Sequence, residues 1–383
     1  MIHLNAIELF GQPRKELYEK LHRGIWEEPQ MREDESAFLC GLLRQEKPQD
    51  ILEVGVYSGT TTAIMAQCMK DIGTSCRIHS VDLARNCDGN DPARPVGYVF
   101  SPLKDGFAAA GITHSLQTGQ VAPAFLEETD RKYDFLMLDT VHTMPGELLD
   151  FLSILPHLKD GAMVCVHDIS LLQMHLYRER DVACCALISS VAGDKYLNSR
   201  TVSSPFETKY PNIGAFRVTP ETRTHIENVF MSLCLRWSYF PSAAQLCLFR
   251  KCFRKHYAPE LVRIFEEALE MNCDNSLLID LEALPIGSRV LLYGSGVVAE
   301  TIRRKILRTG MCELLGWVSP DWRDLEDPLI GDPDTADYST ADYIILAFSR
   351  YRDFQAARDM LVRERNIEIS KIYINYVPFD YSE

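Results

Sequence analysis

The sequence predicts an α/β protein: two doubly wound parallel-sheet domains, the second smaller and Rossmann-like, joined by a helical connector. Three observations carry this. Apolar strand-like runs alternate with helical stretches in two separate series. Each series opens on a glycine-bearing strand-to-helix turn, ILEVGVYSGTTTA at 51–63 and RVLLYGSGVVAE at 289–300. At 383 residues the chain also exceeds one ordinary hydrophobic core. The boundaries that follow are N-terminal helices over 1–45, a first α/β domain over 46–219, the connector over 220–285 and a second domain over 286–383.

Residues 5–46 read as helical, with apolar positions three or four apart around Leu17, Leu21, Ile25, Phe38, Leu42 and Leu43. ILEVGV (51–56) reads as a buried strand, TTTAIMAQCMKD as a helix and RIHSVDL (77–83) as the second strand. HSLQTG (114–119), YDFLMLD (133–139) and GAMVCVHDI (161–169) supply three more strands, the last after the helix ELLDFLSILPHL. A helix near Val182–Val191 and strands near Arg200 and at 213–218 close the domain. From Pro220 to Pro285 the pattern is helical, with a long helix expected over Pro259–Met271. The second series then runs through LLGWVS and ADYIILAF to KIYIN.

Composition narrows the function classes. Apolar residues make up 46% and charged residues 25%, which excludes wholesale disorder. The net charge of −14 argues against wrapping nucleic-acid phosphate. The uncharged run from Phe107 to Leu126 holds His, Thr, Gln, Gly and Pro, so no membrane span is expected. With no cleavable signal pattern at the N-terminus, a cytoplasmic location is the expectation. The 12 cysteines include no Cys-x-x-Cys pair, so they read as reduced thiols rather than a zinc site.

In the first loop Glu53 ends a strand, Gly55 and Gly59 flank a short step, and Ser58, Thr60 and Thr61 can cap the next helix. Glycines there let the backbone approach a ligand at the carboxyl edge of the sheet. Asp82, closing the second strand, suits the two hydroxyls of a ribose. This pattern resembles the class I S-adenosylmethionine-dependent methyltransferases. The resemblance implies that Glu53, Gly55, Tyr57, Ser58 and Gly59 surround the methionine part of the cofactor. Asp82 would then hold the ribose, Gln120 would lie near the adenine, and Asp139 would border the cofactor.

Asp139 ends the fourth strand, His142 follows in DTVH, and His167–Asp168 end the fifth strand in VCVHDIS. Both strand ends open on one edge of a parallel sheet, so the four side chains can converge there. Such a set suits a divalent cation such as magnesium, with a neighbouring histidine removing a hydroxyl proton. The motifs LDTVH and VHDIS resemble the macrocin and mycinamicin sugar O-methyltransferases and the related cephalosporin-hydroxylase-like proteins. That resemblance spans about 30–220 and implies Asp139 and Asp168 as magnesium ligands and His142 as general base. His167 stands where that group has a carboxylate, and imidazole is a poor magnesium ligand, so the metal's identity stays open.

The second loop matches G-x-G-x-x-A at Gly294, Gly296 and Ala299, but Ser319 stands where a dinucleotide-binding acid is expected. This part resembles nucleotide-binding-like domains appended to sugar-modifying enzymes; Ser295, Ser349 and Arg350 are its candidate contacts. In LFRKCFRKHY, Arg250, Lys251, Arg254 and Lys255 oppose the stripe Leu246, Phe249 and Phe253. The expected pattern is a solvated face over a core stripe, or a patch for a diphosphate.

The leading expectation is a metal-assisted S-adenosylmethionine-dependent O-methyltransferase, acting on a sugar or nucleotide-sugar. The connector also offers apolar surface that a homo-oligomer would bury. A non-catalytic nucleotide-sensing protein and a non-haem iron oxygenase are the alternatives.

Overall fold

The computed structural model describes residues 2–4, 31–87, 94–127, 129–171, 182–198, 211–274, 281–325, 327–348 and 351–373. They form two compact units, Met1–Leu235 with Leu248–Phe265, and Arg236–Cys247 with Glu266–Glu383. Two of the three chain crossings fall inside helices, Ala243–His256 and Pro259–Asp274, and the third follows Leu235.

The first unit holds an eight-stranded sheet. Its strands are β1 (Ile2–Leu4), β2 (Asp50–Val54), β3 (Cys76–Asp82), β4 (Ile112–Thr118), β5 (Tyr133–Leu138), β6 (Leu158–His167), β7 (Lys195–Asn198) and β8 (Ile213–Arg217). Their spatial order is β1-β7-β8-β6-β5-β2-β3-β4. All neighbours pair in parallel except β8, which runs antiparallel to both β6 and β7. Helix α1 (Glu33–Glu46) precedes β2, and α2 (Thr60–Asp71) links β2 to β3. The unit also has α3 (Lys104–Ala108), α4 (Ala122–Glu127), α5 (Gly146–Ile154) and α6 (Ala183–Ser190).

Every residue of β2 is buried, as the continuous apolar run requires of a strand covered on both faces. Phe38, Leu39, Leu42 and Leu43 from α1 and Ala63, Ile64, Met65 and Met69 from α2 meet Ile51, Ile78, Phe135 and Met137 in one core. Each fully buried Leu or Ile contributes roughly 1.5–3 kcal/mol of transfer free energy, which anchors both helices to the sheet. Among the described residues, Cys40, Cys68, Cys76, Cys87, Cys165, Cys184 and Cys312 are buried free thiols, as the spacing predicts.

The chain reverses its direction of winding between β2 and β5, and this places their carboxyl ends side by side. The Asp139 amide donates to the Val54 carbonyl at 3.0 Å, and the Gly55 amide to the Val81 carbonyl at 2.9 Å. Gly55 adopts φ 87°, and a Cβ there would lie 1.7 Å from the Asp139 carbonyl oxygen. No other residue type fits that approach.

Three elements depart from the sequence reading. Residues 2–4 are not helical but form β1, which pairs in parallel with β7. Three residues carry no periodicity to read, and the pairing satisfies β7 backbone groups that would otherwise form a bare edge. Of the helices expected within 1–45, α1 is described, whereas 5–30 lie outside the described residues. The strand expected near Arg200 ends at Asn198, and 199–210 lie outside the described residues. The helix after the first loop is capped by Gly59 at φ 87°, with no side-chain cap from Ser58, Thr60 or Thr61.

The second unit contains a four-stranded parallel sheet of β9 (Ser288–Tyr293), β10 (Cys312–Val318), β11 (Tyr343–Leu346) and β12 (Ile372–Tyr373), ordered β10-β9-β11-β12. Leu291, Tyr293, Ile344, Leu346, Phe354 and Leu361 form its core. Gly294 takes φ 124°, and a Cβ there would lie 2.5 Å from the Ala347 carbonyl oxygen. Ser295 lies at the start of the following helix and its hydroxyl donates to Asp321 at 3.3 Å. Ser349 and Arg350 lie outside the described residues. In the basic run Leu246, Phe249 and Phe253 are buried and Lys251 is exposed, paired with Glu127. No helix among the described residues is long and apolar enough to cross a membrane.

Gly55→Ala combines left-handed strain with a backbone clash and is expected to cost about 2–5 kcal/mol. Gly73 has φ 68° but open space around it, so Gly73→Ala is expected to cost only about 1–2 kcal/mol. Denaturant unfolding of both variants checks this; equal losses would mean that Gly55 is not held against Asp139.

Candidate functional site

The carboxyl edge between β2 and β5 carries the glycine loop. Asp82 Oδ2 accepts the amides of Val56 at 2.8 Å and Tyr57 at 3.0 Å, and Oδ1 accepts the Ala84 amide at 2.7 Å. The carboxylate therefore fastens the loop to the end of β3. The Asp82 carbonyl accepts the amides of Gly119 at 2.9 Å and Gln120 at 3.4 Å, which brings the end of β4 to the same corner. Tyr57 has φ 46° and is 39% exposed on the loop, whereas Ser58 is buried with its hydroxyl 2.7 Å from Thr60 Oγ1.

Glu53 lies beneath this loop, completely buried. Its Oε2 accepts Ser80 Oγ at 2.6 Å and Thr62 Oγ1 at 2.7 Å, while Oε1 has no partner. Burial pushes its carboxyl up to about 7 against the pull of those two hydroxyls. It thus joins β2, β3 and α2 from within the sheet.

Beside the loop, Asp139, His142, His167 and Asp168 converge from the ends of β5 and β6. His142 Nε2 lies 3.2 Å from Asp168 Oδ2 and 3.8 Å from Asp139 Oδ1. His167 Nδ1 lies 3.4 Å from both Asp139 Oδ1 and Asp168 Oδ2. Ligand atoms of Asp139, His142 and Asp168 lie within 4.8 Å of one another. His142 at φ 62° and Asp168 at φ 57° both hold left-handed backbone, a strained conformation for non-glycine residues. The four residues singled out in the sequence are therefore neighbours in space.

Four further residues complete the cluster. Glu35, from the first turn of α1, approaches His167 Nε2 at 3.3 Å. Its carboxylate is itself held by Arg32, through the amide at 2.7 Å and the guanidinium at 2.8 and 2.5 Å. Glu147, on the first turn of α5, accepts the His142 amide at 2.5 Å and Thr140 Oγ1 at 3.0 Å, and lies 3.4 Å from His142 Nδ1. Cys184 Sγ lies 3.7 Å from the same nitrogen. Asn212 Nδ2 donates to Asp168 Oδ1 at 2.6 Å. Glu147 had a local signal, five residues past His142 in HTMPGE. Glu35 and Asn212 had none, because their partners are distant in sequence.

Burial works against every charge here, and the neighbours outweigh it. Glu35 is pulled down to about 2 by His167 and Arg32 despite its burial. Burial likewise opposes ionisation of Asp168, but His167, His142 and Asn212 hold its carboxyl well below the usual range. His142 is raised to about 9, its burial overcome by Glu147, Asp168 and Asp139. Burial and then the carboxylates push the Cys184 thiol well up, so it is not a poised nucleophile. The set can hold a divalent cation, but its imidazoles suit magnesium poorly.

Residues 52–169 match a protein family described as a methyltransferase domain. No curated protein matches the sequence. Among solved structures, the Bacillus cereus O-methyltransferase in complex with SAH aligns at 15% identity over 53% of this chain and 90% of its own, with a TM-score of 0.35. The SAH-bound Podospora anserina methyltransferase PaMTH1 aligns at 12% identity over 54% and 87%, with a TM-score of 0.36. TomG, the Streptomyces achromogenes O-methyltransferase of tomaymycin synthesis in complex with SAM, aligns at 15% over 56% and 89%, also at 0.36.

Glu53 gives the fold a pH dependence. Its carboxyl titrates near 4.5 when unfolded and about 7 when folded, so its contribution to stability falls as pH rises from 4.5 to 7 and is constant above that window. Unfolding free energies at the two ends should show wild type losing roughly 3 kcal/mol more than Glu53→Gln. Identical pH slopes would contradict the buried protonated acid.

Proposed function

We propose that this chain is an S-adenosylmethionine-dependent O-methyltransferase that acts on a hydroxyl of a sugar or sugar-bearing small molecule with help from a divalent cation. One observation carries the reading: within a methyltransferase domain, Asp139, His142, His167 and Asp168 meet at the carboxyl edge, beside the glycine loop. The sugar acceptor rests on the resemblance of LDTVH and VHDIS to sugar O-methyltransferases.

The loop has two tasks. Gly55 and Gly59 let it pack against Asp139 and Gly97, and it offers the donor a course that Asp82 fixes through the Val56 and Tyr57 amides. S-adenosylmethionine, once bound, supplies the methyl group as a sulfonium. Tyr57, exposed on the loop, borders the methionine part, and Gln120 lies near the adenine. Asp82 Oδ1 retains one lone pair for a ribose hydroxyl. Glu53 supports the loop from below.

His142 is the proton acceptor. Glu147 sits at its Nδ1 side and fixes the backbone amide, which leaves Nε2 facing Asp139 and Asp168. The acceptor hydroxyl loses its proton to Nε2 while its oxygen is aligned with the methyl group, and that alignment supplies much of the rate. Asp139, Asp168 and His167 would hold a divalent cation, whose positive charge would lower the pKa of the hydroxyl and offset the carboxylates around His142.

Two alternatives compete. An iron oxygenase would use the two histidines with a carboxylate, and a nucleotide sensor would bind without turnover; the methyltransferase match favours neither.

Calorimetric titration of the full chain with S-adenosylmethionine, with NAD as control, should give micromolar donor binding and no NAD binding to the first unit. Across a panel of sugar acceptors, His142→Ala should lower turnover about 10²–10⁴-fold with donor affinity nearly unchanged. Loss of donor binding in that variant, or full turnover, would remove His142 as the base.

A further inference from the structure

The cation named in the sequence analysis was magnesium, and the residues around Asp139 do not suit it. Magnesium takes hard oxygen ligands in a near-octahedral shell and keeps several waters. Here an imidazole stands between two carboxylates. His167 is 4% exposed, and its Nδ1 is buried with no hydrogen-bond partner. The same atom lies 3.4 Å from Asp139 Oδ1 and 3.4 Å from Asp168 Oδ2, in directions that do not meet hydrogen-bond geometry. Donor atoms on an ion with ligand distances of about 2.1 Å are about 3.0–3.4 Å apart, the edge of an octahedron or a tetrahedron. His167 Nδ1 stands at such a separation from each of the two carboxylate oxygens, which leaves a place for one ion between the ring and the acids.

The other face of the ring decides which nitrogen is available. Nε2 lies 3.3 Å from Glu35 Oε2, and three contacts from Arg32 hold that carboxylate still. An Nε2–H donating to Glu35 leaves the Nδ1 lone pair aimed at two carboxylate oxygens. Lone pairs facing one another in a buried pocket repel unless a proton or a metal cation lies between them. A carboxylate behind an imidazole is also the usual support of a histidine that binds metal, because it sets the tautomer and strengthens the donor. His142 repeats the arrangement nearby, with Glu147 at Nδ1 and Nε2 toward Asp168.

We infer that Asp139, Asp168 and Nδ1 of His167 form a site for a nitrogen-accepting divalent transition ion, of the zinc, manganese, iron or cobalt class, rather than for magnesium, with Glu35 as the residue that positions His167. The inference rests on the cation-assisted reading of this edge and deepens it by naming the ion's class. Oxygen-only sites accept magnesium readily; replacing one carboxylate by imidazole shifts preference toward the later first-row ions. Glu35 does not touch the ion. It acts through the ring, by holding the proton on Nε2.

The test uses the full chain stripped of metal and equilibrated separately with zinc, manganese and magnesium, with uptake read by elemental analysis of the dialysed protein. Wild type should take up one zinc or manganese per chain at concentrations about 100-fold below those needed for magnesium. His167→Asp should cut that ratio at least about 10-fold, by weakening zinc and strengthening magnesium. Glu35→Gln should weaken zinc about 10–100-fold and leave the order of preference unchanged. Cobalt absorption reports nitrogen ligation independently, and its bands should change in His167→Asp. A wild type that prefers magnesium or takes up no metal overturns the inference, as does a selectivity indifferent to His167→Asp. Should that variant not fold, unchanged zinc affinity in Glu35→Gln overturns it instead. Donor titration of the same samples separates the two levels: donor binding without transition-metal preference sinks this inference alone, whereas metal selectivity without donor binding sinks the methyltransferase reading.

Discussion

Charge balance in one small pocket is the constraint on which the first unit depends. Glu35, Asp139, Glu147 and Asp168 bring four carboxylates to two imidazoles, His142 and His167, with Glu35 and Glu147 wholly out of water. A buried charge without a partner is costly, so each of these groups is tolerated only because the others are present. The requirement reaches outward into the fold. It explains why α1 begins where Arg32 can clamp Glu35, and why α5 starts with Glu147 beneath His142. It also offsets the left-handed backbone at His142 and Asp168, strain that isolated loops would relax.

Both sheets use the same steric device at the end of their leading strand. Gly55 follows β2 and Gly294 follows β9; each has positive φ, and each has no room for a Cβ against a carbonyl just past the neighbouring strand. The neighbours differ in chemistry. Gly55 abuts Asp139, which continues into the cluster of acids and histidines, whereas Gly294 abuts Ala347. A shared turn therefore closes the end of the leading strand in both units, and acids and histidines stand beside it in the first.

Much of this was legible in the sequence, for identifiable reasons. Strands covered on both faces read as unbroken apolar runs, so ILEVGV, YDFLML and MVCVH announced β2, β5 and β6 without ambiguity. Residues at the carboxyl ends of parallel strands must share an edge, and that alone brought Asp139, His142, His167 and Asp168 together. What stayed hidden was long-range or chemically ambiguous. Glu35 is a helix-capping acid, and nothing local ties it to His167. Asp82 at a strand end reads the same whether its oxygens meet a ribose or, as found, the amides of Val56 and Tyr57. Strand β1 was too short to carry any periodicity.

The support that Glu35 and Asn212 lend to the cluster also sets how far the protein can be trimmed. The stretch matched as a methyltransferase domain, 52–169, contains Asp139, His142, His167 and Asp168 but neither of those two partners. Excising that stretch would strip the Nε2 side of His167 and the Oδ1 side of Asp168, and would remove Cys184 from behind His142. A piece that keeps the whole cluster is thus longer than the matched stretch at both ends. It starts no later than Arg32 and extends beyond Asn212 to include all of β8.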